Sequence, residues 1–265
     1  MRGLLVAAAL ALTLANEAWA APRVVSLDQC ADQYVLALSP RSAIVGLSFR
    51  AEAGDSYLAA QAKGLPKRRA TLEALLAAGP EVVMREWGGD AQLVRRLQAR
   101  GVRVTTLRDA SDFDGVRANI RAAAGALGDP ARGEALIQGM DRQLAEAGQR
   151  PSGKTVAYLT PGGATAGPGT LVDAMLQAAG LKNAEAGPGY RTLSVERLAL
   201  QPPEALVLGF FDAFSLERAW WSPARSAPML AARGRAMASL PGAVLSCPAW
   251  FASDGAVTLA RAARP

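Results

Sequence analysis

The sequence predicts an α/β protein of two similar lobes, each built round a mostly parallel sheet and joined by one long helix. Three observations carry this reading. Short β-branched runs alternate with runs of helical period, the rhythm of sheets covered on both faces. One phrase is written twice, ATLEALLAAGPEVVM at 70–84 and LSVERLALQPPEALVL at 193–208. In each copy a Glu opens an apolar helical run, and a Pro-Glu pair follows before a hydrophobic burst, with Glu73 eight residues before Glu81 and Glu196 eight before Glu204. Between the copies lies an uninterrupted helical pattern, DPARGEALIQGMDRQLAEAG at 129–148.

Taken in order, Val24-Val25-Ser26-Leu27 is short, β-branched and preceded by Pro22, so it predicts a strand. Asp28 is placed to cap the helical run 29–38. A second strand is expected over 43–47, leading into the polar loop Ser48-Phe49-Arg50. The first copy of the phrase supplies a helix and a third strand. A helix over 92–100 stops at Gly101, a strand covers 102–107, and a helix covers 113–127. The long helix follows, with Asp129 as cap and Pro130 in its first turn. A strand over 153–159 restarts the rhythm, and the Gly/Pro loop TPGGATAGPGT leads to a helix over 171–179. The second copy comes next, and a last helix is expected from about Asp254. The expected organisation is therefore an N-terminal lobe at 21–128, a linking helix at 129–150 and a C-terminal lobe at 151–265.

Residues 1–20, MRGLLVAAALALTLANEAWA, combine Arg2, an apolar run over 4–14 and Ala18-Trp19-Ala20, the pattern of a cleaved secretory signal. The run is shorter than the roughly 20 residues that span a bilayer. The expectation is an exported, soluble, monomeric chain in the periplasm. An oxidising compartment favours a disulfide between Cys30 and Cys247, the only cysteines. By chain entropy, closing so long a loop is worth roughly 4 to 5 kcal/mol.

The net charge of +6 raises the question of anionic partners. Nucleic acid is not expected, because the arginines are scattered and only Lys67-Arg68-Arg69 form a cluster. With no histidine among 265 residues, Ser-His-Asp and Cys-His nucleophile pairs and His-ligated zinc or haem are excluded. Carboxylate catalysis stays open, with Glu86, Asp90 and Asp212 the nearest candidates. The Gly/Pro loop lacks the Lys-Ser/Thr ending of a phosphate loop, so nucleotide binding is not expected there.

With the signal, RVVSLDQCADQYVLAL, GLSFR, the two copies of the phrase and SCPAW in this order, the chain resembles the periplasmic binding proteins of ABC importers for cobalamin and iron-siderophores. The resemblance covers the chain from about Arg23 onward. It implies two lobes on one rigid helix, a ligand cleft between them, and a non-enzymatic role without a resident cofactor, the ligand itself being a metal chelate. It further implies that Glu73 and Glu196 dock the two subunits of a permease dimer. A plainer reading makes them helix-start glutamates favoured by the helix dipole.

By position, the resemblance makes Phe49, Arg50, Arg85, Glu86, Trp87, Gly169, Tyr190, Arg191, Phe211 and Trp250 the ligand contacts, led by Trp87 and Tyr190. Aromatic faces would pack on a corrin or catecholate, and arginines would pair with carboxylates or phosphate. Those arginines put an iron-siderophore ahead of cobalamin, and Tyr190 or Tyr57 keeps haem as an alternative. For Trp220-Trp221 and Phe210, packing is the expected role. A non-transport sensor on the same fold is the remaining alternative. A continuous linking helix also predicts a small hinge motion, since bending it breaks hydrogen bonds.

Overall fold

A computed structural model of the protein describes residues 21–193, 200, 202–212 and 234–264. Its N-terminal sheet has the order β2-β1-β3-β4, from β1 (Val24–Ser26), β2 (Ile44–Gly46), β3 (Val82–Arg85) and β4 (Arg103–Thr106), all parallel. The second sheet has the order β10-β9-β5-β7, from β5 (Thr155–Leu159), β7 (Lys182–Asn183), β9 (Ala205–Gly209) and β10 (Ala236–Leu240), again parallel. Read from the second strand of each lobe, both sheets follow one order: second, first, third, fourth.

The duplicated phrase supplies the third strand of each lobe, β3 and β9. In the first copy, Thr71 caps α3 (Leu72–Ala78), accepting from the Ala74 backbone, and Gly79 ends the helix at φ 60°, a left-handed position that suits glycine. The second Glu of the phrase has the same job in both lobes. Glu81 accepts from the Arg23 backbone N–H at 2.9 Å, and Glu204 accepts from that of Thr155 at 3.4 Å. Each thereby ties the entrance of the third strand to the entrance of the first. Glu196 and Trp220-Trp221 lie outside the described residues.

Helix α1 (Gln29–Leu38) packs on β1 and on α5 (Phe113–Leu127). Gly128 closes α5 in the left-handed region, after which Asp129 caps α6 (Pro130–Gly148) by accepting from Arg132 N–H at 2.9 Å. Helix α6 lies between the sheets in sequence and in space, packed on α5 on one side and on α7 (Leu171–Ala178) and the C-terminal helix Ala252–Ala262 on the other. One apolar cluster runs continuously from α1 and α5 through α6 to α7 and the C-terminal helix. Arg132 ties α6 to the N-terminal lobe by donating to the Ala37 carbonyl at 2.6 Å. Further ties cross between the halves. Tyr34 donates to the Pro248 carbonyl at 2.7 Å. Tyr57 stacks on Phe251 at 4.2 Å and donates to Asp254. The disulfide Cys30–Cys247 is formed, with Cα atoms 5.2 Å apart.

Several elements differ from the sequence reading. The Gly/Pro loop contains a strand, β6 (Ala164–Ala166), which pairs antiparallel with β8 (Tyr190–Thr192). Strand β10 was not expected, and Gly242–Leu245 forms a short helix ahead of Cys247. The last helix starts at Ala252 rather than Asp254, before its first acidic residue. Among the described residues, no helix is long and apolar enough to cross a membrane.

Candidate ligand cleft

In a sheet ordered second, first, third, fourth, the chain leaves the first and third strands in opposite directions, and the crevice beyond their C-terminal ends is the natural ligand position. Asp28 follows β1 at that crevice, and the loop Glu86-Trp87-Gly88 follows β3 beside it. One Asp28 oxygen accepts from Ala31 N–H at 2.9 Å, capping α1. The other accepts from the backbone N–H groups of Glu86, Trp87 and Gly88 at 2.8, 3.2 and 2.9 Å. A buried carboxylate thus holds the loop that displays Trp87. Gly88 permits the approach, because a Cβ there would stand 2.5 Å from the Leu27 carbonyl oxygen.

Asp32, one turn further along α1, is fully buried and accepts from Ser26, from Ser48 N–H at 2.9 Å and from the Ser48 hydroxyl at 2.5 Å. Burial raises its pKa above the usual carboxylate range, and these hydrogen bonds pull against that rise. The network fixes the start of the Ser48-Phe49-Arg50 loop relative to β1.

Beyond these loops lies a cleft of about 500 Å³. Glu86, Trp87 and Asp109 line it from the N-terminal lobe, Leu171, Met175, Tyr190 and Ser246 from the C-terminal lobe, and both disulfide cysteines from its floor. Trp87 is 61% exposed and Tyr190 66% exposed, so both rings are available to a ligand. Burial, then Asp28 and Asp109, push the Glu86 carboxyl up to about 7, and its Oε2 is buried with no hydrogen-bond partner among the described residues. Partial burial of the Tyr190 hydroxyl, with repulsion from Asp109, holds that phenol above the ordinary tyrosine range.

The described lining of this cleft carries no arginine or lysine. The arginines expected to meet an anionic chelate lie elsewhere. Arg50 is committed to Asp55, at 2.8 and 2.9 Å, and to Gln29 at 2.6 Å. Arg85 turns back onto the Trp87 carbonyl at 3.1 Å, and Arg191 lies over Gly187 on exposed β8. Phe49 and Arg50 line a second hollow of about 290 Å³, with Arg68, Arg69 and Trp87.

Gly169 takes a left-handed turn before Thr170, which caps α7, and it is Leu171 and Val172 of that helix that reach the cleft. Phe211 packs on the apolar face of β9, and Trp250 packs edge-on against Tyr34 and Phe251. Both are placed as core contacts because their rings meet apolar neighbours from adjoining elements. Phe210, expected in the core, is half-buried at φ 63°.

The sequence reading missed Asp109, Ser246 and Met175. Asp109 was accessible in principle, since it follows the C-terminal end of β4, where ligand residues of parallel sheets collect. The carboxylates considered for catalysis do not form a pair. Asp90 caps α4 (Ala91–Gln98), accepting from Leu93 N–H at 2.7 Å, and Asp212 accepts from Gly242 N–H at 2.8 Å. Among the described residues no cluster of acidic, Cys or His side chains is arranged to hold a metal ion. Glu73 stands exposed in the first turn of α3, without an ion pair among the described residues, and Leu76 on the next turn is also exposed.

Comparison with known proteins gives one consistent neighbourhood. The periplasmic binding protein family matches residues 24–210. A cobalamin-binding protein of Halobacterium salinarum is 30% identical over 209 residues, 75% of this chain, and the match spans just over half of that relative's length, 56%. A periplasmic haem-binding protein from Pseudomonas aeruginosa superposes with TM-score 0.65 at 27% identity, covering 92% of each chain. The haem-binding protein HutB of Vibrio cholerae superposes with TM-score 0.74 at 20% identity, over 92% of this chain and 99% of its own, a likeness of fold.

Proposed function

Because the chain belongs to the periplasmic binding protein family, a family of non-enzymatic binding proteins, we propose that it captures a metal chelate between its lobes and delivers it to the permease of an ABC importer. In this reading, residues 1–20 direct export to the periplasm, 21–128 and 151–265 form the lobes, and 129–150 join them. The cargo we infer is a corrinoid of the cobalamin type.

The observation that carries the cargo reading is the charge of the cleft. Two aromatic faces, Trp87 and Tyr190, accompany two carboxylates, Glu86 and Asp109, and the described lining offers no cation. A corrin rim bears neutral amides whose N–H groups donate to carboxylates, while its flat apolar faces pack on aromatic rings. A catecholate chelate or the propionates of haem would bring negative charge against Glu86 and Asp109, which costs energy in a partly desolvated cleft. Haem also wants an axial ligand. The chain has no histidine, its cysteines are bonded, and the Tyr190 phenol is biased toward its protonated form. The similarity to a cobalamin-binding protein supports the same choice.

For docking, Glu73 is an exposed carboxylate at the start of α3, without an ion pair among the described residues, the kind of group that orients a charged partner at an interface rim. Glu196 is its proposed counterpart in the second copy of the phrase.

Titration of the tryptophan fluorescence with cyanocobalamin, ferric hydroxamate, ferric catecholate and haem, corrected for absorption by the ligand, tests the cargo. The expected result is saturable one-to-one quenching by cyanocobalamin, weakened in Trp87→Ala. Saturation by a ferric chelate or haem in its place would refute the corrinoid reading and leave the binding-protein reading standing.

A further inference from the structure

Two hollows of opposite charge meet at Trp87. The cleft between the lobes carries Glu86 and Asp109. The adjoining hollow, on the N-terminal lobe alone, carries Arg50, Arg68 and Arg69 with the exposed ring of Phe49. Trp87 lines both. Asp28 also borders the second hollow, but its oxygens are occupied by four backbone N–H groups, so it offers little to an incoming cation.

The basic wall is built into the fold. Leu47 N–H donates to the Pro66 carbonyl, and Arg68 N–H donates to the Leu47 carbonyl, both at 2.9 Å, laying the segment around Lys67 alongside β2. The Arg68 stem crosses Gly46, where a Cβ would come within 2.4 Å of its Cγ. Arg50 is neutralised by Asp55, and Lys67 by Glu52 at 2.7 Å. Arg68 and Arg69 have no carboxylate partner among the described residues. Arg68 spends one N–H on the Lys67 carbonyl at 3.1 Å, and the guanidinium charges of Arg68 and Arg69, unneutralised among the described residues, stand beside an exposed aromatic ring, a receptor for a phosphate attached to a flat heteroaromatic group.

We propose that the ligand site is bipartite, with the acidic cleft taking the amide-bearing macrocycle and the Phe49–Arg68–Arg69 hollow taking an anionic, phosphodiester-linked aromatic tail of the same molecule, folded over Trp87. This rests on the corrinoid reading above and narrows it, because it assigns the protein to complete corrinoids and against those lacking the nucleotide tail.

Calorimetric titration with cyanocobalamin and with cobinamide, which lacks the tail, tests this on the wild-type chain and on two variants. These are Arg68→Ala/Arg69→Ala and the charge reversal Arg69→Glu, at a residue that is exposed. The wild type is expected to prefer cyanocobalamin by roughly tenfold or more, the effect of one or two hydrogen bonds to a charged group. Both variants should lose most of that preference while binding cobinamide as the wild type does, and raised salt should shrink the wild-type preference. Equal wild-type affinity for the two corrinoids, or variants that weaken both alike, would overturn the bipartite site and leave the corrinoid cargo intact. Binding of neither would overturn the corrinoid reading and this inference with it. Thermal unfolding of Arg69→Glu at the wild-type temperature would exclude a folding defect.

Discussion

Replacing Glu86 by Gln should stabilise the protein at alkaline pH and leave it unchanged at acid pH. The Glu86 carboxyl is raised from 4.5 to about 7 by burial and by its neighbours Asp28 and Asp109. The folded chain therefore holds a proton that the unfolded chain releases near the ordinary glutamate pKa. Stability fully present below about pH 4.5 is lost as pH rises toward 7 and stays lost above it. The full shift corresponds to about 3 kcal/mol. Because the side chain is only partly buried, solvent screening reduces this to about 1–2 kcal/mol. Gln keeps the shape and removes the charge, and Oε2, which has no partner among the described residues, forfeits no bond there. Urea unfolding followed by fluorescence at pH 4, 6 and 8 reads the difference, with the other titrating groups cancelling between the two proteins. The gap should be near zero at pH 4 and reach about 1–2 kcal/mol in favour of the variant at pH 8. A gap independent of pH, or a variant less stable at pH 8, would refute the assignment of a strained carboxylate to this cleft.

Asp28→Ala removes one helix cap and orphans three backbone N–H groups at the Trp87 loop, so a loss of about 3 kcal/mol or more is expected in chemical unfolding, together with weaker ligand quenching. Asp28→Asn, which keeps the acceptor oxygen, should recover part of both. Substituting Cys30 and Cys247 by Ala opens a loop of sequence separation 217, for which chain entropy gives about 5 kcal/mol as an upper figure and a loss of about 2–5 kcal/mol is typical. An unchanged denaturation midpoint would contradict it. Glu73→Ala with Glu196→Ala should abolish permease binding in a pull-down and leave ligand affinity at the wild-type value, whereas undiminished permease binding would sink the docking role.

Much of the fold was legible because the signals are local. The phrase at 70–84 contains its own cap, its left-handed glycine and its strand, so its reading did not depend on distant residues. The start of α6 at Asp129-Pro130 was legible for the same reason. Strands β6 and β8 were not, because Ala164-Thr165-Ala166 and Tyr190-Arg191-Thr192 are three residues each and become strands only by finding one another across α7 and β7. The same division holds at the cleft. Trp87 and Tyr190 could be chosen from their loops. The fate of Arg50, however, was decided by Asp55 and Gln29, and that of Trp250 by Tyr34 and Phe251, pairings that sequence order does not reveal. Counting arginines therefore suggested an anionic cargo, whereas the charges left after neutralisation divide by place: acid between the lobes, base beside Phe49.

The disulfide has a mechanical meaning beyond its stability. The lobes are joined along the chain by α6 and a second time, at the cleft floor, by Cys30–Cys247. With the Tyr34–Pro248 and Tyr57–Phe251 contacts bridging the lobes as well, the movement expected is a small rotation about the line from α6 to Cys30–Cys247. Sliding or twisting of one lobe past the other would break these links, so the expected movement is a rocking that widens or narrows the mouth at Trp87 and Tyr190 while the base stays fixed. A partner that opened the mouth would then need a lever arm on each lobe, far from the axis.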